Sequence, residues 1–323
     1  MDAYPLEPNS PATQQADHPD ESQPDLGSPI RVWVWLRRGK LRPAWAALCG
    51  GLASGGLALS TTPLLRLALW IFLVDVIWGG LWSGLAATDW ATPLGRWGSW
   101  RHGQPVRFLP YTSPNATAGR LARTLGQLRS WWIAVGRPAL GPTVSGLAVL
   151  LPLALVIAGV LGARPLLATL AAITLLQFVF AWTGGSAQPV PGPQALFELA
   201  LPWLAAHALF DLPSLPSVLL ALAYALSYAG GLRLVQGWSG LARWNLGQVI
   251  AVILLVALRQ PLAAGITGLL FVGQLFFQPG LFDAETEKTD PVAVAGFVRF
   301  AQVWLMAVML VAAWGVQAAA TGG

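Results

Sequence analysis

Nine long apolar runs dominate the chain after residue 42, and the basic residues are divided very unequally among the segments that join them. Hydrophobic residues make up 55% of the sequence and charged residues only 10%, whereas about a quarter of an ordinary soluble domain is charged. An apolar run of about 20 residues crosses a bilayer as a helix, because each backbone N–H and C=O group needs a partner within the segment there. The pattern predicts an all-α integral membrane protein with about nine transmembrane helices. The predicted spans are Pro43–Thr61, Pro63–Leu85, Leu140–Leu161, Arg164–Trp182, Ala195–Phe210, Leu215–Leu234, Asn245–Leu258, Leu262–Gln278 and Ala293–Gln317.

The distribution of lysine and arginine predicts the orientation of these spans. Cytoplasmic segments of membrane proteins carry an excess of both residues. With nine spans and a cytoplasmic N-terminus, 16 of the 19 Lys and Arg residues fall inside, and only Arg66, Arg164 and Arg259 fall outside. Removing one internal span would move the later basic residues to the external side, so an even number of spans is disfavoured. We expect a multi-pass protein of the inner (plasma) membrane of a prokaryotic cell, with its C-terminus external.

Two polar stretches interrupt this pattern. Residues 1–30 are rich in proline and polar residues, which predicts a disordered cytoplasmic tail before a polytopic transmembrane domain at 31–323. A cytoplasmic loop at about 87–139 contains a stripe of leucines at helical spacing, with arginines mostly on the other faces; the residues are Leu121, Leu125, Leu128, Trp132, Arg120, Arg123 and Arg129. This is typical of a basic amphipathic helix on an anionic leaflet. A surface anchor is the favoured interpretation, and a lid or substrate-binding role is the alternative.

The composition also bears on partners. The net charge of +5 follows from the arginines that orient the spans, so no nucleic-acid partner is expected. Cys49 is the only cysteine, which excludes an intramolecular disulfide and a cysteine-based metal site. Four acids cluster between the last two spans, at Asp283, Glu285, Glu287 and Asp290. A solvated loop is favoured over a Mg²⁺ site there, and no metal site is expected.

Three Asp, Glu or His side chains lie within the predicted spans. Asp75 lies near the middle of the second span, where a carboxylate usually has a partner or a wet cavity. A functional role and a helix-to-helix hydrogen bond are equally favoured for it. Glu198 lies near the start of its span, so it is expected to reach the interface. His207 is interpreted as a hydrogen-bonded packing residue rather than a ligand, because no second His or Cys is near it in sequence.

The layout of the chain resembles that of a known family. The features are nine spans, a cytoplasmic N-terminus, a first helix opened by Leu41-Arg42-Pro43-Ala-Trp45 and rich in small residues, and a long inside loop after the second span. These resemble the UbiA-type intramembrane prenyltransferases, and the resemblance implies a UbiA-like helical bundle. In that family two Asp-rich motifs bind Mg²⁺ and the diphosphate of an isoprenoid donor, because a divalent cation neutralises the leaving group.

The metal motifs of this family are not preserved. The first motif, N-D-x-x-D-x-x-x-D, would fall on Val74-Asp75-Val-Ile-Trp78-Gly-Gly-Leu-Trp82, which keeps one Asp and has Trp at the other two positions. The second would fall on 233–243, which contains no carboxylate. Only Asp75 is carried over, with Arg120 and Arg123 as further candidate substrate-binding residues on the inside. No cofactor is expected, and Mg²⁺ only if prenyl transfer is retained.

Three interpretations of function follow. The favoured one is a non-catalytic or strongly divergent member of this scaffold that handles a lipid-soluble ligand, with membrane lipids, an isoprenoid or a membrane protein as partner. The first alternative is an active, divergent prenyltransferase, so whether the chain is an enzyme stays open. The second is a facilitator-type transporter or an accessory subunit of a membrane complex. The scarcity of charge within the spans argues against ion-coupled transport.

Overall fold

The computed structural model describes residues 43–57, 60–104, 116–278, 281 and 291–321. Every regular element in these ranges is a helix. The predicted disordered tail at 1–30 and the acidic residues at 283–290 lie outside the described residues.

Ten helices follow one another in the described ranges. They are α1 (Pro43–Ala53), α2 (Thr61–Leu85), α3 (Ala91–Ser99), α4 (Thr117–Leu161), α5 (Ala163–Thr183), α6 (191–210), α7 (Leu215–Val235), α8 (Leu241–Ala257), α9 (Pro261–Leu275) and α10 (Pro291–Thr321). Three of them contain a π-helical segment, in which the backbone hydrogen bonds span five residues instead of four. These segments are Leu73–Trp78 in α2, Trp132–Gly136 in α4 and Leu196–Ala200 in α6.

The helices have the length and composition of membrane-embedded elements. Five of them, α2, α4, α5, α7 and α10, are long and apolar enough to cross a membrane, and α1, α8 and α9 are shorter apolar helices. Large apolar side chains are exposed along α4 and α5, including Val149, Val156, Val160, Leu167, Phe178 and Trp182. Lipid would cover this surface, which a soluble protein would bury. The structure thus supports a helical membrane protein, and each predicted span overlaps one of its helices, five of which are long enough to cross a membrane.

The first predicted span is too long. We predicted a helix from Pro43 to Thr61, but α1 ends at Ala53. The Ser54 hydroxyl donates a 2.6 Å hydrogen bond to the Gly51 carbonyl, and Gly55 adopts a φ of 68°. Glycine reaches this left-handed conformation without the Cβ clash that other residues meet, so the apolar run continues past a helix end.

The predicted amphipathic helix is the first part of α4 and runs without a break into the third span. At 1.5 Å per residue, the 45 residues of α4 extend over about 68 Å, more than twice the thickness of the hydrocarbon layer. On its N-terminal part Leu121 and Leu128 are 55% and 43% exposed. Arg120 and Arg123 are exposed as well. The predicted segment is therefore helical, although it is not a separate element, and its position on an anionic leaflet stays a prediction.

Helices α1 and α6 form the centre of the bundle. Their backbones are so close that a Cβ atom added at Gly50 would overlap the carbonyl oxygen of Trp203. The α1 side chains Ala46 and Cys49 pack with α7–α10, whereas Ala47 packs with α2, α4 and α5. The α6 side chains are divided in the same way. The central pair therefore joins two sets of helices, each with its own buried core.

Small residues allow close contact elsewhere in the bundle. The two glycines of the pattern Gly80-x-x-x-Gly84 in α2 lie against Leu150 and Leu147 of α4. A second close contact joins α7 and α8, where Cβ atoms added at Gly240 and Gly247 would overlap carbonyl oxygens of α7.

Candidate functional site

Both acidic residues of the apolar helices lie in π-helical segments. Asp75 belongs to Leu73–Trp78 and Glu198 to Leu196–Ala200. Such segments are rare in proteins overall, but many of those that occur are found at functional sites. Pro202 accounts for the second one, because proline has no N–H to bond the carbonyl of Glu198. The segment around Asp75 is not followed by a proline in this way, so its widened backbone has no such local cause.

The contacts between α2 and α6 place the two carboxylates at one depth. The indole N–H of Trp70 donates to the carbonyl oxygen of Pro202 at 3.4 Å, and the rings of Trp78 and Phe197 have centroids 5.6 Å apart. The two helices are therefore antiparallel. Asp75 lies between the two α2 contact residues, which puts it at the level of residues 198–200.

A cluster of aromatic side chains packs between α2 and α6 at this depth. This aromatic cluster consists of Trp70, Trp78, Trp82 and Phe197. The centroid of the Phe197 ring lies 5.0 Å from that of Trp82, and Trp70 meets Trp78 edge to face at 5.4 Å. All four side chains are buried, and the indole N–H of Trp78 forms no hydrogen bond with the described residues. The cluster thus combines a large aromatic surface with one unused donor.

Glu198 is half-buried, and its carboxylate bonds side chains of α6 and α7. Its carboxylate accepts hydrogen bonds from the Tyr228 hydroxyl at 2.7 Å and from the Gln194 amide at 2.9 Å. Tyr228 lies in α7 and is only 6% exposed. Helix α6 starts at Pro191 rather than at the predicted Ala195, which places Glu198 two turns into the helix. The expectation that Glu198 reaches the interface stays a prediction.

Removing the Tyr228 hydroxyl should weaken this arrangement measurably. We expect Tyr228→Phe to lower the free energy of unfolding by about 1–2 kcal/mol, because the half-buried Glu198 carboxylate loses a short hydrogen bond from a buried donor. Tyr224→Phe is the comparison variant. Its hydroxyl bonds the Val308 carbonyl at 3.2 Å, an oxygen that already accepts within α10, so the loss should be about 0.5 kcal/mol. Thermal unfolding in detergent measures both, and equal losses would contradict the special role of Tyr228.

The structure separates Asp75 from the two candidate arginines. Because α4 is antiparallel to α2, with Leu150 beside Gly80 and Leu147 beside Gly84, Asp75 lies near the level of residue 154. Arg120 and Arg123 precede residue 154 by more than 30 positions, or about 45–50 Å along the helix. One ligand headgroup cannot contact Asp75 and either arginine together. A role for the arginines at a separate site on the inside stays a prediction.

The residues around Asp75 do not fit the Mg²⁺ site that the family resemblance implies. Magnesium needs oxygen ligands, but the two other motif positions are Trp78 and Trp82, whose rings pack on Phe197. Within the described ranges, no group of three or more His, Cys, Asp or Glu residues could hold a metal ion. The clustered acids at 283–290 lie outside those ranges.

Asp89, the next acidic residue after Asp75 in the sequence, has a different structural role. It is exposed, and its side chain accepts a 3.2 Å hydrogen bond from the backbone N–H of Thr92 at the start of α3. Hydrogen bonds from Thr92, first from its side chain, lower the pKa of the Asp89 carboxyl. Asp89 therefore stabilises the first turn of α3 rather than contributing to the Asp75 level.

His207 is a packing residue, as expected. It is 3% exposed, and its Nδ1 lies 3.0 Å from the hydroxyl oxygen of Ser217. The same hydroxyl accepts from the indole N–H of Trp203 at 2.9 Å. This chain of hydrogen bonds connects α6 with α7.

A buried amide cluster that was not predicted from the sequence lies between α8 and α9. Gln248 and Gln274, both fully buried, exchange hydrogen bonds of 3.0 and 3.2 Å, and Trp244 donates to the same Gln274 oxygen at 3.0 Å. Asn245 and Gln278 exchange bonds of 3.0 and 2.7 Å one turn away. The available signal was the spacing, since amides at i and i+3 or i+4 share one helix face.

Comparisons with known proteins add no assignment. No protein-family model, no curated protein and no solved structure matches the chain.

Proposed function

We propose that this chain is a nine-span protein of the inner (plasma) membrane, on a prenyltransferase-like scaffold, that binds a lipid-soluble ligand without transferring a prenyl group. The proposal rests on which residues lie at the depth that Asp75 and Glu198 share. Buried tryptophans occupy the positions where a diphosphate site would need acids. The proposal assigns the protein no metal cofactor.

The chemistry of this level favours a particular class of ligand. Aromatic rings bind apolar and unsaturated chains through their faces and edges. A carboxyl group in an apolar surrounding is stabilised by a hydrogen bond from a hydroxyl group. An isoprenoid with a terminal hydroxyl or phenol group combines both features. Ordinary membrane lipids and a membrane protein partner are the other proposed contacts.

The packing of the helices supports the proposed topology. Helices α2 and α5 end on the same side, where Trp90 and Ala91 donate to the Gly185 carbonyl. Helix α6 runs opposite to α5, since the Arg164 guanidinium at the start of α5 donates to the Ala208 carbonyl near the end of α6. With the basic loop on the side where α2 and α5 end, the positive-inside rule gives a cytoplasmic N-terminus and an external C-terminus.

Ligand binding to the purified full-length protein in detergent tests the proposal. The probes are a long-chain prenyl alcohol and the matching prenyl diphosphate, each with Mg²⁺ and with a chelator. We expect the alcohol to bind and Mg²⁺ to change neither affinity. Asp75→Asn should weaken alcohol binding about fivefold, which corresponds to one hydrogen bond of about 1 kcal/mol.

Asp89→Asn is the matched control, because it removes an exposed carboxylate outside the bundle and should leave both affinities unchanged. Two results would contradict the proposal. Diphosphate binding that requires Mg²⁺ and is lost in Asp75→Asn would show a working donor site and favour the prenyltransferase alternative. Failure of both probes to bind the wild-type protein would remove the isoprenoid ligand altogether.

A further inference from the structure

The turn between α8 and α9 places an arginine where a glycine is usual. The N–H groups of Arg259 and Gln260 donate to the carbonyls of Val256 and Leu255 at 2.9 and 3.0 Å. This pair of bonds ends α8 as a Schellman motif, whose residue after the cap is left-handed and most often glycine. Arg259 occupies that position with a φ of 57°, the only positive φ of a non-glycine residue in the described ranges. The backbone therefore favours another residue here.

An apolar groove lies directly below this arginine. Its volume is about 520 Å³, and its lining consists of Val252, Val256, Arg259, Pro261, Ala264 and Gly265. Val252 and Val256 lie one to two turns before the tip of the hairpin, and Ala264 and Gly265 lie one turn after it. The groove thus runs from the tip of the hairpin along α8 and α9. Its one charged group, Arg259, lies at the tip, where the proposed topology puts the lipid headgroups.

The Arg259 side chain is available to a ligand. It is exposed, and it forms no hydrogen bond or ion pair with the residues that the structure describes. The other arginine at a hairpin tip on this side, Arg164, donates instead to the carbonyl of Ala208. A guanidinium matches the geometry of a phosphate and binds it through two parallel hydrogen bonds.

We propose that this groove is a binding site for an anionic phospholipid. The phosphate binds the Arg259 guanidinium, and one acyl chain packs along the apolar walls. The order of the parts matches the order in a lipid, with charge at the membrane surface and an apolar chain beneath it. The volume lies within the usual range for sites of small ligands. The need for a cation at the groove mouth explains why an arginine occupies a left-handed position.

Three variants of the full-length protein test this proposal. Arg259→Gly removes the cation and places glycine at the left-handed position. Arg259→Lys keeps the charge. Gly265→Leu fills the groove and leaves the arginine intact. A Cβ at Gly265 meets no atom within 4 Å, so the last variant should fold. Gly159→Leu is its control, because Gly159 is equally unobstructed and lies on the exposed surface of α4.

Binding is measured by native mass spectrometry and by thermal unfolding in detergent with added phosphatidylglycerol, phosphatidylcholine or inorganic phosphate. We expect phosphatidylglycerol to bind the wild type and raise its melting temperature, and inorganic phosphate alone to have no effect. Arg259→Gly should melt higher than the wild type without lipid but bind phosphatidylglycerol about tenfold more weakly. Gly265→Leu should lose binding, whereas Arg259→Lys and Gly159→Leu should largely keep it.

A purely structural arginine predicts a different pattern. In that case Arg259→Gly would change the melting temperature alone, and phosphatidylglycerol would bind it as it binds the wild type. Equal binding by Gly265→Leu and wild type would show that the acyl chain binds elsewhere and would contradict the proposed groove site. Equal affinity for phosphatidylcholine would overturn the preference for an anionic lipid.

Discussion

Replacing Gly50 by alanine should destabilise the folded protein by about 3 kcal/mol or more. The added methyl group would overlap the carbonyl oxygen, carbonyl carbon and Cα of Trp203. These are backbone atoms of a helix, so they cannot rotate away as a flexible side chain would. Inserting atoms into a well-packed site usually costs about 1–3 kcal/mol, and a contact with rigid backbone belongs at the upper end. Because α1 and α6 join the two halves of the bundle, their separation should loosen both halves.

The chain carries its own reporter for this experiment. Cys49 is the only cysteine and is fully buried next to Gly50. A thiol-specific dye in detergent should therefore label the wild type only when it unfolds, and it should label Gly50→Ala faster and at a lower temperature. Gly146→Ala is the matched control, since a Cβ there meets no atom within 4 Å. It should be neutral or stabilising by up to about 1 kcal/mol, because alanine favours a helix over glycine. Similar unfolding temperatures for Gly50→Ala and wild type would contradict the close contact.

The second large effect is expected at the amide cluster of α8 and α9. Gln274→Leu removes the acceptor of the Trp244 and Gln248 donors and the donor to the Gln248 oxygen. These partners are fully buried, so water cannot replace the lost bonds. Leaving a buried polar group without a partner costs about 1–3 kcal/mol. We therefore expect Gln274→Leu to lower the free energy of unfolding by about 2–3 kcal/mol, measured by the same thiol-labelling assay.

Two further variants distinguish the cost of leaving a buried polar group without a hydrogen bond from the cost of altered packing. Thr267→Val on the same helix removes a fully buried hydroxyl that has no hydrogen-bond partner among the described residues. It should be neutral or stabilising. The double variant Gln248→Leu with Gln274→Leu should lose less than the sum of the two single changes, since each single change leaves the other amide unpaired. Additive losses would mean that the two glutamines contribute independently.

Much of the site could not be read from the chain because of a property of membrane helices. In water, a helix shows which face it buries through the contrast between apolar and polar residues. In a bilayer the lipid-facing side and the protein-facing side are both apolar, so this contrast is lost. The choice between Gly50 and its neighbour Gly51 for the backbone contact is therefore not visible in sequence. The same holds for the pairing of Glu198 with Tyr228.

The sequence by itself determined roughly where the apolar helices lie, because the cost of burying backbone and charge in hydrocarbon depends on each segment alone. It also marked Asp75 and Glu198 as the acids of the apolar helices, and the amphipathic pattern at 116–132. Only the tertiary structure decided that these two acids share one depth beside the aromatic cluster, that Arg120 and Arg123 lie far from them, and that Arg259 stands over an apolar groove. Each of these facts depends on which helices are neighbours and in what register. That is decided by the fit of small and large side chains between helices, which no single segment contains.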